Sequence, residues 1–284
     1  MKFAKYLVAC IFIIANAVPV SAQENAHKFS YEDYAAVLSA YVSSGGMVNY
    51  KQLKSNRKQL NTFVKSMAGL DSKTYDNWNE NAKIVFWLNA YNALTLKAII
   101  DNYPIKASFF KSAIYPKNSI RQIGGVWDEI KFNVMGKKLT LEHIEHKILR
   151  VKFNEPRIHM AMVCAAMGCP PLLNEPYEGR KLDEQLNNRA RRFLGNPDKF
   201  KINRENGRVY LSPILKWFAD DFVNKYGTEE HIGKQNKKTS AVLNFIADYL
   251  EKSDKDYILA GEFRIKYLRY DWSLNEQSIK SARQ

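Results

Sequence analysis

The sequence predicts an α+β fold: a single domain with an N-terminal helical layer around a buried central helix and a small, mostly antiparallel sheet. Three observations predict it. Apolar residues recur at helical spacing through positions 31 to 102, strand alternation with turn dipeptides is confined to the later chain, and the two do not alternate as βαβ units. The chain has 284 residues and a formal net charge of +14. Residues 1–22 read as a secretory signal, with Lys2 and Lys5, an apolar run from Tyr6 to Ala17, and Val20-Ser21-Ala22 as a small-x-small cleavage site. That run is shorter than the ~20 residues needed to span a bilayer. A periplasmic or secreted protein is therefore expected, with no transmembrane segment after signal cleavage. The expected organisation is a flexible N-terminus over 23–29, one domain over 30–275 and a flexible tail over 276–284.

Each element has its own signal. Tyr31, Tyr34, Val37, Leu38 and Tyr41 make an amphipathic helix that Gly45-Gly46 stops, and Leu53, Leu60, Phe63, Val64 and Met67 mark a second pattern ending at Gly69. From about Trp78 to Asn102 a third helix is apolar nearly all round, which predicts burial. Tyr103-Pro104 ends it, and the segment to Gly125 is irregular. Val126 to Met135 alternates and turns at Gly136-Lys137, which predicts a hairpin. Thr140 is the expected N-cap of a helix over Leu141–Arg150. Arg157 to Cys164 reads as a buried strand, with Pro170 suited to the first position of a helix after Cys169. Leu182–Leu194 reads as a helix, and Phe200–Leu211 as a hairpin turned at Asn206-Gly207. Ser212-Pro213 opens a helix, residues 239–251 give another, and Tyr257–Ala260, Phe263–Leu268 and Tyr270–Leu274 read as closing strands.

Charge and cysteines narrow the functional classes. Loss of Lys2 and Lys5 with the signal lowers the charge from +14 to +12, which fits an anionic envelope surface as a partner. Lys and Arg are scattered rather than striped, so no nucleic acid is expected. Cys10 leaves with the signal. Cys164 and Cys169 then either close a small Cys-x4-Cys loop or leave one thiol free.

A cysteine attacks as the thiolate, and a helix N-terminus or a neighbouring His or Arg lowers its pKa. Cys169 is the candidate nucleophile, with His146 or His159 as base. Pro170 and Pro171 have no N–H to offer an oxyanion, so Asn89 or Asn92, spaced i, i+3 on the central helix, are the candidate donors. Arg150 and Arg157 are candidates to hold a substrate carboxylate. Glu145 and His146 stand at adjacent helical positions, which diverge, so they are not expected to couple. His143 and His146, with His159 and Cys169, would make a four-ligand zinc set, but the spacing matches neither zinc-helix signature, and no metal ligand or cofactor is assigned.

The motifs Phe86-Trp-Leu-Asn-Ala-Tyr-Asn-Ala-Leu-Thr-Leu96, Leu141-Glu-His-Ile-Glu-His-Lys-Ile-Leu-Arg150, Arg157-Ile-His159, Gly168-Cys-Pro-Pro171, Leu211-Ser-Pro-Ile-Leu-Lys-Trp-Phe218 and Tyr270-Asp-Trp-Ser-Leu-Asn275 together resemble the domain of unknown function 547 family, from about Tyr31 to Asn275. The resemblance singles out Asn89, Asn92, Glu145, His146, Arg150, Arg157, His159 and Cys169. Many bacterial members carry Ser where this chain has Gly168. The family's activity is unsettled. A fold distantly similar to papain-like or transglutaminase-like thiol enzymes is the accompanying expectation, by analogy. These readings converge on a thiol-dependent hydrolase or transferase acting on an amide, peptide or γ-glutamyl bond of a small-molecule or peptide substrate. The alternatives are a non-catalytic envelope-binding module and a zinc-binding protein.

Overall fold

The structure is a computed structural model that describes residues 29–278. The expected signal over 1–22, nearly all of the loose segment 23–29 and the tail beyond Ser278 lie outside the described residues. From Tyr31 the chain forms one compact α+β unit.

The helix Glu80–Asp101 is its axis. Asn79 caps it by accepting from the Ala82 N–H, and 16 of its 22 residues are buried, so it is surrounded rather than laid on a surface. Glu32–Tyr41, Tyr50–Ser55 and Lys58–Gly69 form the helical layer against it, burying Tyr34, Leu38, Leu53, Leu60, Phe63 and Met67. The pattern from Leu53 to Gly69 is thus two helices, because the chain breaks at Asn56 and Arg57.

β1 (Phe132–Val134) and β2 (Lys137–Leu139) pair antiparallel around Met135-Gly136, both at positive φ, as a two-residue hairpin loop requires. The hairpin is shorter than its alternation predicts, since residues 126–129 form turns and 130–131 belong to no strand. A second core of Phe193, Val209, Leu215, Phe222, Phe245 and Ile246 gathers the later elements. There β3 (Phe200–Asn203) and β4 (Arg208–Leu211) pair antiparallel, and β5 (Arg264–Tyr267) joins β4 in parallel.

Three expected strands are not strands. Tyr257–Ala260 belongs to the helix Lys252–Ala260, whose C-cap Gly261 is left-handed. Arg157–Cys164 begins as a 3-10 helix, Pro156–Met160, and continues as a loop. Residues 270–274 contribute one isolated bridge, Leu274 to Ala166. A short apolar run says that a segment is buried but not which backbone it adopts. No helix follows Cys169, so the predicted N-cap environment of its sulfur does not exist. At the far end, Glu276 bridges to Val48 and the Gln277 N–H donates to the Val48 carbonyl (2.9 Å), so ordered pairing runs past residue 275.

Candidate functional site

The site is assembled where the segment after Thr140 meets the loop 161–169 and the final loop 268–275. Thr140 caps Leu141–His143, and the chain then widens into a π-helix over Ile144–Leu149 before Arg150–Lys152. Wider turns of this kind occur mostly at functional sites. They also rotate less per residue than an α-helix, and Glu145 Oε1 lies 3.8 Å from His146 Nε2. Neighbours expected to diverge therefore face one another, although beyond direct hydrogen-bond reach.

From Glu145 a polar chain can be followed atom by atom. The Tyr91 hydroxyl donates to Glu145 Oε2 (2.9 Å) from the central helix. Arg150 Nη1 donates to His146 Nδ1 (2.5 Å), and a guanidinium has only donors, so the proton of a neutral His146 ring sits on Nε2, the nitrogen facing Glu145. Arg150 Nε and Nη2 donate to the two oxygens of Asp221 (2.6 and 2.9 Å), and His159 Nε2 donates to Asp221 Oδ2 (2.7 Å). Phe218 stacks on the His159 ring with centroids 4.1 Å apart, and Arg150 lies over its edge of the cluster, 4.9 Å from the Phe218 centroid. Burial would raise the Asp221 carboxyl, but the hydrogen bonds from His159 and Arg150 outweigh it and hold the group at about 2. Burial pushes the His159 imidazole below its ordinary value, against the pull of Asp221. His146 is the exposed member, its side chain 38% accessible.

The sulfurs are linked to this chain through Tyr270, whose phenol lies within electrostatic range of Glu145. Cys164 and Cys169 are joined as a disulfide. Tyr270 Oη lies 3.2 Å from Cys164 Sγ and 3.1 Å from Cys169 Sγ, and a disulfide sulfur carries no hydrogen, so the phenol is the donor. The Cys164 N–H also donates to Cys169 Sγ (3.0 Å). Burial and the charge of Glu145 push the Tyr270 phenol well up, so it keeps its proton. Gly168 makes room for this ring: a Cβ there would lie 2.7 Å from three Tyr270 ring carbons. Half-exposed Trp217, 4.9 Å from Tyr270 between centroids, and Met167 give the site an apolar rim.

Several predicted residues are placed elsewhere or are fully engaged. Asn92 Nδ2 donates to the Ala161 carbonyl (3.0 Å) and its Oδ1 accepts from the Val163 N–H (2.9 Å). Asn89 holds Tyr177 in the same way, donating to its carbonyl (3.0 Å) and accepting from its N–H (3.0 Å). Both amides tie loops to the central helix, so the expected oxyanion role gives way to a structural one. Arg157 is bound to both oxygens of Glu155 and to Asp183 and Asn187, away from the sulfurs, and has no fork left for a substrate carboxylate. Arg150 is likewise committed to Asp221 and His146 and orients them. Cys169, bridged to Cys164, is not a free thiol here. Among the described residues no three His, Cys, Asp or Glu side chains converge as metal ligands, so the set of His143, His146, His159 and Cys169 is not assembled. Two open surface depressions, of about 590 and 710 Å³, lie by β3 and by residues 55–65 and share no residue with the cluster.

Sequence reading missed Asp221 and Tyr270. Tyr270 stood in a quoted motif but was read as a strand residue. Asp221 follows Asp220 in the helical segment opened by Ser212-Pro213, and nothing local distinguishes the two.

Residues 75–194 match a family model described as "Protein of unknown function, DUF547". The match includes the central helix, the π-helix, His159 and both cysteines, and it ends before Phe218, Asp221 and Tyr270. No curated protein and no solved structure matches the chain.

Proposed function

We propose that this chain, which its residues 75–194 place in the DUF547 family, is an exported thiol-dependent hydrolase or acyltransferase for amide, peptide or γ-glutamyl bonds, kept latent by its Cys164–Cys169 disulfide. The observation that carries the reading is the pair of donors on Cys169 Sγ, the Cys164 N–H and the Tyr270 hydroxyl. Donors aimed at a sulfur favour its thiolate over its thiol. Cys164 Sγ shares only the second of them among the hydrogen bonds to the pair, so Cys169 is the sulfur that ionises.

An external dithiol supplies the two electrons and two protons that open the bridge, and is itself oxidised to a disulfide. The Cys169 thiolate then attacks the substrate carbonyl carbon. The amine leaves with the proton that His146 took from the Cys169 thiol, and water or an acceptor amine, passing its own proton to His146, cleaves the thioester and returns the sulfur as thiolate. Glu145 and Arg150 orient His146, and Asp221, itself fixed by His159, orients Arg150. The likeness to papain-type or transglutaminase-type enzymes rests on this shared cysteine and histidine chemistry alone.

Iodoacetamide labelling against pH, before and after treatment with dithiothreitol, tests the proposal. The oxidised protein should resist labelling, and the reduced protein should label at Cys169 with an apparent pKa well below the ~8.5 of a free thiol. An apparent pKa at or above that value, or no difference on reduction, sinks it. The saturation of Arg150, Asp221 and His159 by one another favours a second reading, an envelope-binding module organised by a buried polar network. Under it, reduction leaves ligand binding unchanged and His146→Ala has no catalytic consequence to show.

A further inference from the structure

The loop from Ile105 to Lys117 carries a feature that the candidate site does not use. Phe109, Phe110 and Ile114 are 89%, 84% and 75% exposed, the three most exposed large apolar side chains among the described residues. The two phenylalanines touch each other edge to face, with centroids 5.6 Å apart. Exposed apolar side chains scattered singly need no explanation, whereas three on one projecting turn mark an interaction surface.

The loop that presents them is braced. Gln122, almost fully buried at its base, accepts from the Ser108 N–H (2.9 Å) and donates to the carbonyls of Pro116 (3.0 Å) and Tyr115 (3.3 Å). One amide thus fixes both ends of the turn, and the apolar tip is held outward instead of collapsing onto the body. Charge surrounds it with a single sign: between Asp101 and Asp128 the chain has Lys106, Lys111, Lys117 and Arg121 and no acidic residue. Lys106 and Lys117 are exposed, and Lys111 follows the phenylalanines directly.

We infer that this tip is a peripheral membrane anchor, in which Phe109, Phe110 and Ile114 enter the interface of a bilayer and Lys106, Lys111 and Lys117 meet anionic headgroups. The geometry favours a bilayer over a protein partner. A convex point with a cationic collar matches a soft apolar layer under a negative surface, whereas a protein partner would have to offer a pocket of matching shape. Among the described residues no helix is long and apolar enough to cross a membrane. The base of the loop also leads to the candidate site, since Tyr115 packs on Trp272 (centroids 6.0 Å) and Trp272 on Tyr270 (4.6 Å). Docking through the tip would hold that site close to the membrane plane. The anchor itself does not depend on the site being catalytic.

The test is co-sedimentation of the full chain with vesicles of phosphatidylcholine mixed with phosphatidylglycerol, and with phosphatidylcholine alone. Binding to the mixed vesicles should weaken with added salt. Phe109→Ser with Phe110→Ser should weaken it ~10-fold or more. Lys106→Gln with Lys111→Gln and Lys117→Gln should weaken it by on the order of 10- to 100-fold on the mixed vesicles only. Because the substituted side chains are on the surface, circular dichroism and Tm should stay unchanged. As a local readout, Phe110→Trp should add a fluorescence component that shifts to the blue with vesicles and is quenched by brominated lipid. Absence of that quenching, or equal binding by the wild type and the double Ser variant, overturns the inference. So does loss of self-association in the Ser variant without any vesicle binding by the wild type, which would assign the tip to a second copy of the chain.

Discussion

Tyr270 occupies its place because Gly168 has no side chain, and through that vacancy its hydroxyl reaches both sulfurs. Gly168→Ser should push the ring out of the site and cost about 1–3 kcal/mol, a fall in Tm of roughly 3–10 °C by calorimetry. Tyr270→Phe keeps the packing and removes the donor. In the reduced protein it should raise the apparent pKa of Cys169 by about one unit in an alkylation profile, since a hydrogen bond to a charged group contributes about 1.5 kcal/mol or more. His159 and Asp221 give a pH dependence that can be signed. The folded-state pKa of His159 is depressed by burial, so its contribution to stability is complete above its unfolded value of ~6.5 and is lost as the pH falls through the folded value. The Asp221 carboxyl is depressed to about 2, so its contribution is complete above the ordinary carboxylate range and is lost progressively as the pH falls from that range through about 2. The loss of Tm on acidification from ~6.5 towards ~4 should therefore belong to His159. His159→Asn should flatten the Tm profile in that window and shrink, without abolishing, the more acidic loss, because Arg150 still holds Asp221 down when the imidazole is gone.

Among the elements, the central helix and the π-helix do different work. The central helix fixes loops from within. Removing Asn92 by Asn92→Ala would leave the Ala161 carbonyl and the Val163 N–H buried without their partner, costing about 2–4 kcal/mol. Denaturant unfolding should show that loss, and hydrogen exchange should show a faster Val163 amide, since that N–H donates to the Asn92 side chain. Most helices were legible because their signals are local: Thr140 and Ser212 both cap as their positions suggested, and Leu182–Leu194 follows its apolar spacing from end to end. The π-helix was not legible. Its extra residue per turn leaves the apolar pattern of Leu141, Ile144, Ile148 and Leu149 intact, yet it changes which polar neighbours face each other, as Glu145 and His146 do. The loop 161–169 was not legible either, since it is held by Asn92, by the Asp271 and Ser273 carbonyls and by the buried Lys199, all distant in sequence.

For the whole molecule, the disulfide closes a loop between residues only five apart in sequence, so it constrains little of the unfolded chain. Reduction should cost about 2 kcal/mol and leave the protein folded, with a Tm lower by several degrees. A protein that unfolds on mild reduction would contradict this and would make the bridge a structural staple. Stability instead resides in the two cores, one around the helix Glu80–Asp101 and one around Phe193, Phe222 and Phe245. The sequence by itself determined the α+β class, the buried central helix, most helix ends, and the resemblance to the family whose model matches residues 75–194, because each of these is written in periodicity, caps or contiguous residues. Only the tertiary structure decided that Arg157, Asn89 and Asn92 serve the framework, that Arg150 and His159 meet on Asp221, and that Tyr270 stands over a joined pair of sulfurs. Those outcomes depend on which distant side chains satisfy each buried donor, acceptor and charge, and no local pattern in the chain specifies such a partner.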